Sequence, residues 1–571
     1  MVVPDSVAAQ PHDQLVPARR AWLGFAACLI AVFMQMVDTT IVNIALPSLA
    51  IDLGATYSDQ LLVATVYTLA FACTLMTASR LGEMFGRRRV FLIALAGFTL
   101  ASVLCGTASG AIELIALRGV QGVSAAAASA QTIAIISVLF PRVKHGLVFG
   151  MYGATAGVAA MLGPMLGGGL IASDIAGLGW RTIFLVNLPL GLLACVLAYR
   201  HLPDISADAR QPLDLIGMAL STAGLFTLIY PLAVGREKDW PGWILAMLVA
   251  AALLLTAFVW YERRLQSSGG SPLLRPDLFT NRNFSVGSVL SLLFFSVFAA
   301  FFFTVSIAAQ FGLGYSALRT GALTFPFAVG AAIGSLVSPL LIRCLGPRTL
   351  AVGMLAFTVS LGWTATLIEP SGHSLDIASL LLPLIVGGLG TGVFIAPLQA
   401  TILGGTTPTN VGSASGSIPT IQQIGCSIGL AVISIFFFNQ VAAQADHAVE
   451  ESSNSLTRGL ESTAINPAWQ PMVVDEFSRC AHLQLTSSHP ETTPPGCDTE
   501  SAPEAQSDAT PTDIRSSIGE QAKPLLQLAA RDAAARSFLG ALTVVLWAIS
   551  ATAAGLAALS LLIKRSADPD D

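Results

Sequence analysis

The chain predicts an all-α polytopic membrane protein: two six-helix pseudo-symmetric bundles plus two additional helices central in the sequence, giving fourteen transmembrane helices. Three observations carry this. Of 571 residues, 54% are hydrophobic and only 11% are charged, whereas soluble domains average about 25% charged. Apolar runs of roughly twenty residues, the length that crosses a hydrocarbon core, recur along the chain. Lys and Arg collect in alternate connections between those runs. The net charge of −5 decides little, because the placement of the charges matters more than their sum.

Taken in order, residues 1–20 form a polar tail with Pro4, Pro11 and Pro17, and no small-residue cleavage site follows the first apolar run. That run therefore reads as a retained helix, not a signal peptide. A first bundle over 21–200 holds spans at 21–46, 60–79, 90–108, 112–139, 146–170 and 181–200. Two additional spans, 213–234 and 241–261, lie within 201–262, and a linker follows over 263–283. The second bundle, 284–562, holds spans at 284–310, 320–342, 349–368, 377–402, 415–440 and 537–562. Residues 563–571 make a second tail.

With the N-terminus inside, the short outer loops carry only Arg181, Arg236, Lys238 and Arg319, while Arg19, Arg20, Arg87, Arg88, Arg89, Arg263, Arg264 and other basic residues fall inside. The positive-inside rule then places both termini in the cytoplasm of a multi-pass protein of the cytoplasmic membrane. The insert 441–536 is rich in Ser, Thr, Pro, Glu and Gln and reads as a partly disordered outer loop, with a helical piece near Asp513–Arg536. It holds Cys480 and Cys497, the one cysteine pair expected in an oxidising compartment, where a disulfide is plausible.

One carboxylate is out of place. Asp38 sits at the far end of the run Ala21–Val37, and a helical pattern continues past it to Pro47. A charge near the centre of a membrane helix costs roughly 3 kcal/mol on the mildest scale, so such groups usually bind, pair or take up protons. In span four, Arg118 and Gln121 stand in Arg118-Gly-Val-Gln121-Gly122. At about 1.5 Å per residue, Asp38 and Arg118 reach comparable depth in the outer half of the bilayer. Depth alone leaves their contact open. Span five carries Gly153, Gly157, Gly163, Pro164, Gly167 and Gly168. Glycines four apart share a face that another helix can approach closely, and Pro164 predicts a kink.

Between spans two and three lies Ser79-Arg-Leu-Gly82-Glu83-Met-Phe-Gly86-Arg87-Arg88-Arg89. Gly82 and Gly86 are expected to turn the chain. Glu83 is placed to cap the next helix or to pair with an arginine of this loop or a neighbouring one. Leu341–Arg348 echoes this stretch at a constant offset in the second half, a pattern of repeats that fits a transporter whose halves rock about a central site.

The loop resembles the signature G-x-L-a-D-r-x-G-r-[KR]-x of the major facilitator superfamily, with Ser79 for the leading Gly and Glu83 for the Asp. Asp38–Pro47 (D-x-T-x-V-N-x-A-L-P, which contains Asn43) and Trp180–Pro189 (W-R-x-I-F-x-V-N-x-P) resemble its 14-span drug:proton antiporter branch, the multidrug efflux transporters. The ending Gly163-Pro164-x-x-Gly167-Gly168 resembles the antiporter motif of its exporters. The resemblance implies proton coupling and substrate handling around Asp38, Arg118, Asn43 and Gln121, and a cytoplasmic gate at Gly82, Glu83, Gly86, Arg87 and Arg88. The implied partners are membrane lipids, small-molecule substrates and protons, with no nucleic acid, and the chain is expected to act as a monomer. No cofactor is expected, the drive being the proton gradient.

A single acid among apolar walls suits lipophilic cations. Export of one dedicated natural product is the alternative, and a non-transporting sensor is the third. No enzyme is expected: the seven histidines read as loop or tail residues, and neither metal-ligand spacing, a G-x-S-x-G nucleophile nor a phosphate-binding loop is present.

Overall fold

The computed structural model describes residues 17–204, 214–368, 375–404, 411–463, 465–487, 494, 497 and 512–563. The two ends of the chain and His12, His373 and His489 lie outside the described residues. Among those described there is no strand. The α-helices are α1 (Ala18–Leu53), α2 (Tyr57–Phe85), α3 (Arg87–Thr107), α4 (Ala111–Leu139), α5 (Arg142–Ser173), α6 (Thr182–Leu185), α7 (Asn187–His201), α8 (Leu215–Val234) and α9 (Gly242–Ser267). They continue with α10 (Arg282–Ile307), α11 (Ala317–Leu345), α12 (Arg348–Leu367), α13 (Ile377–Gly404), α14 (Val411–Glu461), α15 (Gln470–Thr486) and α16 (Thr512–Ser560). Among the described residues, thirteen helical segments are long and apolar enough to cross a membrane, and the bent α5 makes a fourteenth when its two parts are taken as one span. The chain is thus an all-α, multi-pass membrane protein.

Local chemistry sets the helix ends. A capping box starts α2: Asp59 N–H donates to the Thr56 hydroxyl, and Thr56 N–H donates back to the Asp59 carboxylate. Gly86 (φ +90°) and Gly346 (φ +59°) close the second helix of each half in conformations that exclude most side chains. The next helix then begins at once, at Arg87 and at Arg348. The sequence repeat thus reflects two equivalent hairpins. In α5 the segments Lys144–Ala160 and Leu162–Ser173 meet at 41°. Pro164 has no N–H to donate to the Ala160 carbonyl four residues back, so the bend falls where that bond is missing.

Helices in lipid gain little from hydrophobic exclusion and associate instead by close packing. Glycines make this possible between α11 and α13. A Cβ on Gly388 would lie 1.9 Å from the Phe327 carbonyl oxygen, and one on Gly392 would lie 2.1 Å from that of Ala331. In return, Gly330 and Gly334 face the backbone of Ile385 and Leu389. Beside this seam, Phe294 and Phe301 of α10 pack with Phe327, Phe357 and Phe394 at ring-centroid distances of 4.9–6.2 Å. This is a packed interior. Across the halves, α5 lies on α11 and α13, and α2 on α14; α8 leans on α2 and α14 and carries α9 on its other side.

The segment 441–536 holds the helical piece expected near Asp513–Arg536 and more helix than expected before it: α14 continues to Glu461, α15 follows, and α16 starts at Thr512 and runs unbroken into the last span, while most of 488–511 lies outside the described residues. Ser452 donates to Asp532 (2.9 Å), Ser537 donates to the Val441 carbonyl (2.7 Å), and Arg536 binds both Asp532 and Glu451. Phe477, Ala481 and Leu485 form the buried stripe of α15, at the four-residue spacing of one helix face. The polar residues between them hide that stripe from a span-length hydropathy reading. Cys480 and Cys497 form a disulfide.

Four histidines expected in loops are helical: His145 is buried in α5, His201 ends α7, and His447 and His482 lie on α14 and α15. Helices that overrun the bilayer account for the last two.

The Trp180-Arg181 pair ties α6 and α7 to the end of α1. Trp180 Nε1 donates to Asp52 at 3.0 Å and Arg181 Nη1 at 2.5 Å. Farther along the same motif, Asn187 Nδ2 donates to the Ser102 hydroxyl at 3.0 Å.

Two outcomes follow for purified protein in detergent. Gly388→Ala places a methyl against the α11 backbone and lowers stability by about 1–3 kcal/mol, the usual range for overpacking, read as a lower thermal midpoint. The hydrogen bonds from Arg181 and then Trp180 hold the Asp52 carboxyl below its usual range, so its stabilisation is present at neutral pH and lost as pH falls through the depressed value. Asp52→Asn therefore lowers the midpoint at neutral pH, and its difference from the parent shrinks well below the usual aspartate pKa of about 3.9.

Candidate functional site

Asp38 is fully buried, and the helices around it supply its partners. Arg118 Nη1 of α4 donates to its Oδ2, and Gln121 Nε2, one turn on, donates to its Oδ1 at 2.8 Å. Residues three apart on a helix are neighbours, so one stretch of α4 addresses both carboxylate oxygens. Arg118 also donates to Gln121 Oε1 at 2.9 Å, which makes the three side chains a closed ring of bonds. The Tyr67 ring of α2 lies 4.4 Å from the guanidinium carbon, and Arg118 Nε donates to the Val63 carbonyl at 3.4 Å. The pattern Arg118-Gly-Val-Gln121-Gly122 now has a physical reading. Arg118 and Gln121 hold the acid, and Gly122 lets α4 close on α2, since a Cβ there would sit 2.3 Å from the Tyr67 carbonyl oxygen.

Asn43 stands apart from this ring. It is exposed, because five residues at 100° each carry it well round the helix from Asp38. The glycines of α5 also divide. A Cβ on Gly163 would lie 1.9 Å from Thr40 Oγ1 and 3.2 Å from the Val37 carbonyl, and one on Gly167 would lie 2.8 Å from Ile41 Cγ1. These two seat α5 on α1 beside the buried acid. Gly153 has only ordinary contacts, at 3.9 Å from Ile395 and Ser335, and Gly157 and Gly168 face open space. The tight glycine of that first stretch is Gly150, whose Cβ would meet the Ser335 carbonyl at 2.6 Å.

At the basic end, Gly86 makes the turn, but Gly82 does not: it lies within α2. Its lack of a side chain admits Gln131, whose Oε1 would be 1.8 Å from a Cβ there, while Gln131 Nε2 donates to the Ala78 carbonyl at 2.8 Å. Glu83 caps nothing and pairs with Arg80, three residues before it, at 2.6 Å. Arg87 donates to the Ala134 carbonyl (3.2 Å), and Arg88 to that of Tyr199. A contact that crosses between halves is made by Ser79, one of the two residues that depart from the family signature. Its hydroxyl is 3.2 Å from that of Ser415, and Gly416 lies against it. Gly150 on Ser335 and Gly146 near Pro339 form a second seam at the same end. Sequence reading missed Ser415, Gly150, Ser335 and Gln131, whose only local signal is small size or a lone amide. Among the described residues no group of three or more His, Cys, Asp or Glu could hold a metal. An apolar groove of about 700 Å³ lies between α2 and α8, lined by Leu69, Cys73, Met218, Thr222 and Phe226 among others.

Removing one partner of a buried ion pair strands the other charge and costs about 3–5 kcal/mol, whereas replacing both by apolar groups is far milder. Arg118→Met is expected to lower the thermal midpoint sharply and the double variant Asp38→Leu/Arg118→Met much less; equal losses would show that the ring adds no coupling.

The model of the Major Facilitator Superfamily matches residues 28–215 and 214–430. The chain is 32% identical over 495 residues to a probable actinorhodin transporter of Streptomyces coelicolor, covering 86% of this chain and 85% of that one. It is 35% identical over 443 residues to the puromycin resistance protein of Streptomyces alboniger, covering 76% and 86%. Its fold is similar to that of a proton:xylose symporter solved with a bound sugar analogue, at TM-score 0.51 and 15% identity, covering 72% of this chain and 88% of that one. Family model, relatives and fold agree on a membrane transporter, not an enzyme, and this chain belongs to the major facilitator superfamily.

Proposed function

We propose that the protein is a proton-coupled antiporter that exports lipophilic, chiefly cationic, drug-like compounds across the cytoplasmic membrane, with both termini and the basic end facing the cytoplasm. The observation that carries this reading is the Asp38 carboxylate, fully buried yet held by Arg118 and Gln121. Protonation removes the negative charge that Arg118 needs, so the ring opens and α1, α4 and α5, which meet there, are free to shift. A cationic substrate competes with that proton for the same carboxylate, which makes the exchange obligatory. The seams Ser79–Ser415 and Gly150–Ser335 close the cytoplasmic side in this state, with Gly82, Glu83, Gly86, Arg87 and Arg88 shaping the hinge between α2 and α3. We read residues 21–200 and 284–562 as the two rocking bundles and 201–262 as an added hairpin. The protein works as a monomer, with protons, substrates and lipid as partners and no cofactor.

A second reading, export of a single natural product, is favoured by the names of the relatives, two of which refer to one antibiotic each. Both readings share the same test. Under an imposed pH gradient, wild type is expected to extrude fluorescent lipophilic cations from cells and to accumulate them in everted vesicles, and Asp38→Asn is expected to fall to the background of cells or vesicles without the protein. Export by wild type of one antibiotic but of none of the cations would select the dedicated exporter. Undiminished export by Asp38→Asn would remove Asp38 from the coupling.

A further inference from the structure

A second pair of buried acids lies in the added hairpin, outside the ring around Asp38. Asp214 caps the start of α8, its Oδ1 accepting from Gly217 N–H at 2.9 Å and from the Tyr261 hydroxyl at 3.1 Å. Glu262, near the end of α9, is fully buried, and its Oε2 accepts from Leu274 N–H at 3.3 Å in the linker to the second half. The other two oxygens, Asp214 Oδ2 and Glu262 Oε1, are buried and receive no hydrogen bond from a donor. They converge on the same point: a Cβ on Gly217 would lie 2.2 Å from the first and 2.4 Å from the second. No Arg or Lys forms an ion pair with either acid among the described residues. The same segments build an apolar cluster, in which Phe258 of α9 and Leu273 and Leu274 of the linker pack with Met218 of α8 and Met76 of α2.

Two ionised carboxylates are both acceptors, and like charges this close in an apolar setting cannot both persist. One proton between them removes the repulsion and satisfies both orphan oxygens. We infer that Asp214 and Glu262 share a single proton, forming a second protonation site, separate from Asp38, that pins the linker at 273–275 to the added hairpin. The linker continues the connection toward the gate: Ser413 of α14 donates to the Leu273 carbonyl at 3.4 Å and accepts from Arg275 N–H at 3.0 Å. Ser413, Leu273, Ser79 and Gly416 line one small cavity beside the Ser79–Ser415 contact. The titratable groups facing the pair are Tyr261 from α9, and, across that cavity, Arg80 and Glu83 of α2, which pair with each other. Loss of the shared proton leaves two repelling carboxylates, which drives Glu262 and the linker bonded to it away from Asp214 and so loosens the linker's hold on α14. The added helices then act as a pH-sensitive brace on the closed end, whatever the substrate and whatever the role of Asp38.

The test uses the full chain in lipid nanodiscs and does not depend on transport. Infrared spectra at neutral pH are expected to show a protonated carboxyl band that survives in Asp38→Asn and disappears in Glu262→Gln, where the amide donates to Asp214 in place of the proton. Asp214→Asn, which keeps a capping oxygen, provides a second variant and is expected to lose the same band. Amide exchange over 271–275, corrected for its intrinsic pH dependence, is expected to rise with pH in wild type and to stay level in Glu262→Gln. A band unchanged in both variants overturns the shared proton. Linker exchange that ignores pH in wild type overturns the brace.

Discussion

The architecture of the first half depends on one interaction, the contact of the Asp38 carboxylate with Arg118 and Gln121, all three buried. Neither charge is tolerable there alone, since an unpaired ion in hydrocarbon costs several kcal/mol. The pair fixes the register of α4 against α1, because a slip of one residue would turn Arg118 or Gln121 away from the acid. Gly122 and Gly163 then follow as requirements. α4 must come close to α2 and α5 close to α1 for the ring to be sealed, and at both points a Cβ would collide.

The same economy of volume governs the rest of the molecule. With lipid outside and no hydrophobic force drawing helices together, contact depends on backbone approach. Glycine supplies it between α11 and α13, between α5 and α11 at Gly150, and between α2 and α14 at Gly416. The seams that join the halves are thus made of small residues and hydroxyls, with few directional bonds to break. The Phe294–Phe394 cluster within the second half is, by contrast, a densely packed body of aromatic rings. Two of the buried acid sites, the Asp38 ring and the Asp214–Glu262 pair, each join a helix pair whose relative position matters.

What could be read in advance depended on how local the cause was. The spans follow from runs of apolar residues, the bend in α5 from one proline, and the turn at Gly86 from one backbone conformation. The helical character of 441–486 was hidden because its apolar stripe is spaced for one helix face and diluted by polar residues, as at Phe477, Ala481 and Leu485. Gly82 fits a turn as well as a close approach, since glycine serves both, and only the position of Gln131 separates the two uses. Asn43 shares a motif with Asp38, but helical rotation directs it elsewhere.

By itself the sequence determined the class of protein, the family, the apolar spans and the anomalous acid, because hydropathy and motif spacing are properties of a continuous stretch of chain. It could not decide who touches whom. That Asp38 meets Arg118, that Ser79 rather than Glu83 reaches across to the other half, and that Asp214 faces Glu262 at the root of a linker are long-range pairings. They are set by helix packing angles and by which glycines admit a neighbour, and these exist only once the helices have assembled.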